Sequence, residues 1–345
     1  MNTFGSLFRV TTFGESHGPA MGAVIDGCPA GVSLPRSFVQ AALDRRRPGQ
    51  SSVTTARNEA DQVELLSGVY EDKTLGTPIA AIVRNQDQRS QDYEALKKED
   101  RPGHADRVWR ERFQHRDPRG GGRTSGRETL CRVIGGAVAD ALLLREVPSL
   151  RVVAWVSQVG PFFAPLPSST LTRSQVDAHV TRCPDAAIAA QIEARILEAK
   201  AAGDSLGGAI TVRIDGTPSG LGEPVFGKLK ARLADAFGGV GAVTGVVWGP
   251  PDLEQRLTLP GTQFHARRDD GTPSDVYGGI QGGLANGEPV LARVLFKPPA
   301  TLTDHAKAGR HDPCILPRAV PVIEAMTSMV LADLYLSLLA RPHRP

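Results

Sequence analysis

Apolar positions along the chain follow two rhythms. Short β-branched runs, Ala20–Asp26 (AMGAVID), Ile79–Val83, Val152–Val156 and Ala209–Ile214, predict buried strands. Elsewhere apolar residues recur every third or fourth position and predict helices. The segment SFVQAALDRRR is one, with Ser37 placed to cap its start and Pro48-Gly49 to stop it. Leu130, Ile134, Val138 and Leu142 line a second over Glu128–Val147. Gly135-Gly136 lies inside it, where each glycine costs about 1 kcal/mol against alanine, so close packing against another element is expected there. Ile188, Ile192 and Ile196 mark a third, closed by Gly203. Phe226, Leu229, Leu233 and Phe237 place a fourth over Pro224–Phe237. Val320–Leu339 is a long fifth, apolar on much of its surface and therefore buried by the fold or by another subunit. Residues 158–175 and 250–275, rich in Pro, Ser and Gly, predict loops.

One arrangement occurs twice. Ala20–Asp26 leads through Asp26-Gly27-Cys28-Pro29-Ala30-Gly31 into a helix, and Ala209–Ile214 leads through Asp215-Gly216-Thr217-Pro218-Ser219-Gly220 into another. The shared strand–DGxPxG–helix unit points to an internal duplication, two related halves in a single domain. No linker divides the chain, so 1–340 is expected to be one domain and 341–345 (RPHRP) a disordered tail.

Composition narrows the class. With 41% hydrophobic and 22% charged residues, the chain has the make-up of a soluble globular protein. A net charge of +3 is too small for the whole surface to bind polyanions, so positive charge matters only where it is concentrated. Cys28, Cys131, Cys183 and Cys314 lack CxxC spacing, which suggests reduced thiols rather than disulfides or a metal site. The N-terminus shows no signal-peptide pattern and no run of eighteen apolar residues occurs; a cytoplasmic protein outside the membrane is expected.

Candidate chemistry concentrates in residues 101–128, RPGHADRVWRERFQHRDPRGGGRTSGRE. Eight arginines face three acids (Asp106, Glu111, Asp117) over 101–127, a local charge of +5. A glycine run ahead of a helix can turn backbone amides toward an anion, and arginine forks suit phosphate or carboxylate oxygens. Two functions fit this stretch: a site for a multiply anionic small molecule, or a nucleic-acid-binding arm. Only one RGG and two aromatic residues (Trp109, Phe113) speak for the arm. A second basic run, 45–57, either contacts an anion or answers a helix dipole. Two histidines stand in polar, glycine-rich loops, His17 in GESHG and His104 in RPGHAD, and His311 adjoins Asp312. No GxSxG, HExxH, P-loop or GxGxxG pattern is present. Histidine and arginine chemistry around an anion remains, which suits general acid catalysis of phosphate departure better than nucleophilic attack.

Four motifs in order resemble the chorismate synthase family over almost the full length. They are GESHG running on to DGCPAG, LDRRRPGQ with DQRS downstream, RPGHAD with RGGGRTSGRET, and GRHDPCILPRAVPVIEAM from Gly309. The resemblance implies an α+β fold, a β-α-β sandwich, assembled as a homotetramer. It also implies a 1,4-elimination of phosphate from 5-enolpyruvylshikimate 3-phosphate, giving chorismate, with reduced FMN and no net redox change. By the same resemblance His17 is the acid that assists phosphate departure, and His104 governs the protonation of the reduced flavin. Asp312 takes part in removing the substrate proton. Arg46 and Arg127 match substrate arginines. Arg123, Thr124, Ser125, Gly241, Ala242, Gly282, Lys297, Pro298, Pro299, Ala300, Thr301 and Arg310 match flavin-contacting positions. No further nucleotide motif is visible, so reduced flavin is expected from an external reductase or reductant rather than from the chain's own use of NADPH.

The chain departs from the family pattern in places. Ser52 and Asn58 stand where a basic residue is common, Arg107 where Tyr is usual, and Arg123-Thr124-Ser125-Gly126 where Arg-Ser-Ser-Ala is usual. Lys297-Pro298-Pro299-Ala300-Thr301 replaces Lys-Pro-Thr-Ser-Ser, and the segment from Thr301 to Gly309 is short. Fewer hydroxyls at 299–300 should weaken hydrogen bonding to the flavin. The alternative to an active chorismate synthase is therefore a divergent homologue that binds flavin or an anion with an altered substrate or weak activity.

Overall fold

Two antiparallel sheets, each with helices on one face, stand back to back with the helices between them. The computed structural model describes residues 1–49, 53, 59–85, 103–115, 117, 120–266, 271, 275–300, 302 and 312–341. Ser52, Asn58, Asp87–Ser90, Thr301, Arg310, His311 and the tail beyond Arg341 lie outside the described residues.

The first half contains β1 (Thr3–Phe4), β2 (Arg9–Gly14), β3 (Ala20–Asp26), α1 (Arg36–Arg46) and β4 (Val63–Leu65). It continues with a small hairpin of β5 (Val69–Tyr70) and β6 (Lys73–Thr74), then β7 (Ile79–Arg84), α2 (Asp106–Phe113) and α3 (Thr129–Glu146). The sheet order is β1-β2-β3-β7-β4, so the AMGAVID run is the central strand. The second half contains β8 (Arg151–Val159), β9 (Phe162–Phe163), α4 (Arg173–Asp177), α5 (Ala186–Ala202), β10 (Gly208–Asp215) and α6 (Leu229–Gly238). It ends with β11 (Val243–Trp248), α7 (Leu253–Arg256), α8 (Gly261–Phe264), β12 (Ile280–Gln281), β13 (Leu284–Ala285), β14 (Val290–Phe296) and α9 (Leu316–Ala340). Its sheet runs β11-β14-β10-β8-β9, again with the strand before the DGxPxG turn at the centre.

Helices α1 and α3 cover the first sheet, α6 and α9 cover the second, and α3 packs along α9. The predicted close approach at Gly135-Gly136 is this contact. A Cβ on Gly135 would stand 2.8 Å from Val10 of β2 and 2.9 Å from Met329 of α9, and one on Gly136 only 2.3 Å from the Ala325 Cβ. Glycine is required because α3 threads between a sheet and another helix without room for a methyl group.

Helix α9 has an eighteen-residue window of mean hydropathy 1.6, enough by length and composition to cross a membrane, yet 72% of that window is buried inside the fold. It is a core helix, and three carboxylates tie other elements into its neighbourhood. Asp333 accepts hydrogen bonds from the backbone N–H groups of Ser6, Leu7 and Phe8 at 2.9, 2.6 and 2.9 Å. Glu324, almost fully buried, accepts from the Ala154 N–H at 3.0 Å and pairs with Arg45 and Arg173. Asp140 on α3 pairs with Arg173 and accepts from Ser328.

Two helix starts differ from the sequence-based expectation. Helix α1 begins at Arg36 after Pro35, with no side-chain cap, so Ser37 lies inside the helix. Proline's fixed φ already sets the entry. Helix α6 begins at Leu229 rather than Pro224, and Phe226 is 93% exposed. Leu229, Leu233 and Phe237 do form its buried face. Residues 250–275 are not wholly loop, since they hold the short helices α7 and α8.

Candidate active site

His17 sits in the turn between β2 and β3, buried to 5% exposure. The turn closes through a Gly18 N–H to Glu15 carbonyl bond of 3.0 Å. Fully buried Ser16 places its hydroxyl 3.0 Å from His17 Nδ1. The glycine run has a steric purpose here. Gly120 is in the left-handed region, and a Cβ on it would fall 2.4 Å from His17 Nδ1. The 120–122 segment therefore closes directly over the imidazole.

Residues 123–125 build the next turn with their own side chains. Arg123 donates to the Gly14 carbonyl at 3.1 Å and to Thr12 of β2. Thr124 Oγ1 donates to the Gly121 carbonyl at 2.7 Å, and Ser125 Oγ accepts from the Arg127 N–H at 3.3 Å. That cap sends Arg127 inward, where its side chain is 3% exposed.

Arg127 meets Arg46 through Asp61. Arg127 Nη1 donates to Asp61 Oδ1 at 2.8 Å and Arg46 Nη1 to Asp61 Oδ2 at 3.3 Å. Asp61 is fully buried and holds a left-handed φ of 46°. Glu59 lies 3.7 Å from Arg127 Nη2, too far for a hydrogen bond. Among the described residues, Nη2 of Arg46 and Nη2 of Arg127 are both buried donors without a hydrogen-bond partner. A buried donor left without a hydrogen bond costs about 1–3 kcal/mol, or more when charged. Burial pulls the Arg46 guanidinium down to about 9, with Asp61 opposing the shift and Arg318 and Arg127 adding to it.

The third cluster joins this pair through α9. Arg318 Nε donates to the Arg46 carbonyl at 3.5 Å, and its Nη1 pairs with Asp312. The Pro313 carbonyl accepts from the Leu206 N–H at 2.8 Å, and Ser205 Oγ donates to the Pro299 carbonyl at 2.7 Å. A Cβ on Gly103 would be 3.2 Å from the Ala300 Cβ, so the His104 loop lies against the 297–300 segment. His104 Nδ1 is 3.0 Å from Asp106 Oδ1 at the start of α2. Contacts thus run from Arg127 through Asp61, Arg46 and Arg318 to Asp312, and those of Pro313, Ser205–Leu206 and Pro299–Ala300 lead on to the His104 loop.

The expected flavin positions are only partly gathered. The Lys297 N–H donates to the Ala242 carbonyl at 2.9 Å, so Gly241, Ala242 and Lys297–Ala300 share one end of the second sheet. Among the described residues no atom beyond its chain neighbours lies within 4 Å of where a Gly241 Cβ would stand, so Gly241 faces open space. Gly282 lies in the β12–β13 turn, whose next residue Gly283 packs against Lys228, at the Val290 end of β14. The length of β14, about 20 Å at strand rise, separates it from Lys297. Arg107, Arg110 and Arg112 of the basic stretch lie exposed on α2, away from this chain of contacts.

Glu59, Asp61, Asn85, Ser205 and Arg318 were not singled out by sequence reasoning. Arg318 stands within the GRHDPCILPR motif, which carried a signal. Asn85 opens the NQDQRS run that contains the DQRS motif, while Glu59, Asp61 and Ser205 stand in no motif, because their roles come from partners distant in the chain.

A model of the chorismate synthase family matches residues 8–336. The chain is 46% identical to a chorismate synthase of Azobacteroides pseudotrichonymphae, covering 97% of this chain and 99% of that protein. It is 47% identical to the chorismate synthase of Bdellovibrio bacteriovorus, covering 96% of each. A crystal structure of a chorismate synthase superposes with a TM-score of 0.76 at 28% identity, covering 97% of this chain and 93% of that one. The motifs, the fold and these likenesses agree, and the chain belongs to the chorismate synthase family.

Proposed function

We propose that loss of phosphate from 5-enolpyruvylshikimate 3-phosphate, giving chorismate, takes place in the cluster between His17, the Arg46–Arg127 pair and the His104–Asp312 side. As a member of its family the chain is a carbon–oxygen lyase of the shikimate pathway. The observation that carries the reading is the pair of buried Nη2 donors without hydrogen bonds among the described residues, tied through Asn85 to the turn that carries buried His17. The substrate bears a phosphate and two carboxylates, and guanidinium forks match such oxygens.

In this reading Arg46 and Arg127 bind and orient the anionic groups, fixed in separation by Asp61. His17 delivers a proton to the departing phosphate, its ring held by Ser16 and covered by Gly120. Asp312, oriented by Arg318, receives the substrate proton. His104, anchored by Asp106, holds a proton at the flavin side. Reduced FMN would lie against Arg123–Ser125, Gly241, Ala242 and Lys297–Ala300, where the open space at Gly241 and the exposed Lys297 suit a phosphate-bearing ligand. When bound, it supplies the electron-rich partner of the elimination. Thr301 and Arg310 belong to the same proposal by resemblance. Gly282 does not join this set within one chain.

The proposal includes a homotetramer, supply of reduced flavin by an external reductase rather than from NADPH, and descent of the two sheet-and-helix halves from a duplicated unit. The matching central strands and DGxPxG turns support the last of these. Anaerobic incubation with dithionite-reduced FMN and 5-enolpyruvylshikimate 3-phosphate, following phosphate and chorismate, tests the reaction. Equal yields of both are expected. Flavin binding without product would favour the divergent homologue instead.

A further inference from the structure

We infer that Asn85 is a positioning residue that joins the turn carrying His17 to the Arg127 guanidinium, so that proton delivery and anion binding depend on one side chain. Asn85 directly follows Arg84, the last residue of β7. Its Nδ2 donates to the Glu15 carbonyl at 3.1 Å and to the Gly18 carbonyl at 2.7 Å, bracketing Ser16 and His17 on both sides. Its Oδ1 accepts from Arg127 Nε at 2.6 Å. Its own backbone N–H donates to the Pro19 carbonyl at 3.1 Å, tying the residue to the same turn.

The partners fix the amide orientation. Carbonyl oxygens only accept and a guanidinium only donates, so the NH2 group must face Glu15 and Gly18 and the oxygen must face Arg127. Arg127 is then held at Nε by Asn85 and at Nη1 by Asp61, which leaves Nη2, 3.7 Å from the Glu59 carboxylate, without a hydrogen bond among the described residues. Asparagine is the side chain that does both jobs. Aspartate would serve Arg127 but confront two carbonyl oxygens, and alanine would serve neither.

The inference rests on the proposed roles of His17 and Arg127, and substitution at Asn85 separates them. Asn85→Asp keeps the acceptor for Arg127 and removes the donors that hold the turn. Turnover is expected to fall about 10²-fold through displacement of His17, with KM little changed. Asn85→Ala is expected to lower turnover comparably and also to raise KM about tenfold, as a charge-assisted hydrogen bond to Arg127 is lost. Binding of inorganic phosphate, measured calorimetrically, should weaken in Asn85→Ala and persist in Asn85→Asp. A merely structural residue would change both parameters alike in the two variants.

Wild-type turnover in folded Asn85→Asp, or identical turnover, KM and phosphate affinity in the two variants, would overturn the inference. Should Asn85→Asp not fold, unchanged turnover and phosphate affinity in folded Asn85→Ala overturn it, and loss of both supports it. If the unsubstituted chain forms no chorismate, the proposed reaction falls, while the contrast in phosphate affinity still decides the Arg127 half of the inference.

Discussion

Arg46 and Arg127 meet on opposite oxygens of the single carboxylate Asp61, and each keeps one buried donor unsatisfied. A buried carboxylate between two guanidinium groups limits their mutual repulsion and sets their spacing. The two guanidinium groups are therefore held in place by the fold itself, as the proposed anion site requires.

Removing that carboxylate should be costly. Asp61→Ala leaves two buried cations without their shared partner, and a loss of about 3–5 kcal/mol in unfolding free energy is expected by chemical denaturation. Unchanged stability would mean that the carboxylate is dispensable.

The arginines themselves should show in binding. Arg127→Lys replaces a planar fork by a point charge that cannot reach Asn85, Asp61 and an anion together. A rise in KM of about tenfold is expected, with a lowered thermal midpoint because the buried bonds to Asn85 and Asp61 are not both replaced. Steady-state kinetics with saturating reduced FMN would measure it.

Both loop histidines should matter for turnover and little for folding. His17→Ala and His104→Ala are each expected to lower kcat about 10²–10⁴-fold, the range of general acid–base assistance. Wild-type rates in both, with circular dichroism unchanged, would remove them from the mechanism.

Gly136→Ala tests the central packing. The added methyl would fall 2.3 Å from the Ala325 Cβ, so α3 and α9 must separate. A loss of about 1–3 kcal/mol is expected from overpacking, with partial recovery in the double variant carrying Ala325→Gly.

Thiol chemistry supplies a pH test. Burial pushes the Cys131 and Cys314 thiols up to about 12 and Cys28 to about 11, from an ordinary 9.0. The folded state thus favours the neutral thiol. This contribution is complete below pH 9.0 and is lost as pH rises toward about 11–12, where unfolded thiols have already ionised. Folded protein should react slowly with a thiol reagent at neutral pH, and fully once denatured. Rapid labelling of any of the three in the native state would contradict their burial.

Legibility followed the range of the interactions. Periodicity marked the central strand of each sheet and α3, α5 and α9, because burial of one face is written locally. It misplaced the start of α6, since Phe226 fits the spacing but projects to solvent beyond Gly227 and Lys228. The glycine run was legible as special, yet its purpose was not. It reads as a run that can turn backbone amides toward an anion, and the fold adds that Gly120 closes over His17.

The sequence by itself determined the family, through four long motifs, and the kinds of side chain that the chemistry needs. It also announced the tight contact at Gly135-Gly136, because two glycines in a helix need a reason. Tertiary structure alone decided which residues act together. Asp61 bears no motif of its own and Asn85 only opens the run that holds DQRS, and both come to contact Arg127 only when β4, β7, α1 and the turn before α3 converge. It also set Gly282 apart from Lys297 by the length of a strand. Motif spacing records which residues are present, whereas distance between them depends on how antiparallel strands return the chain.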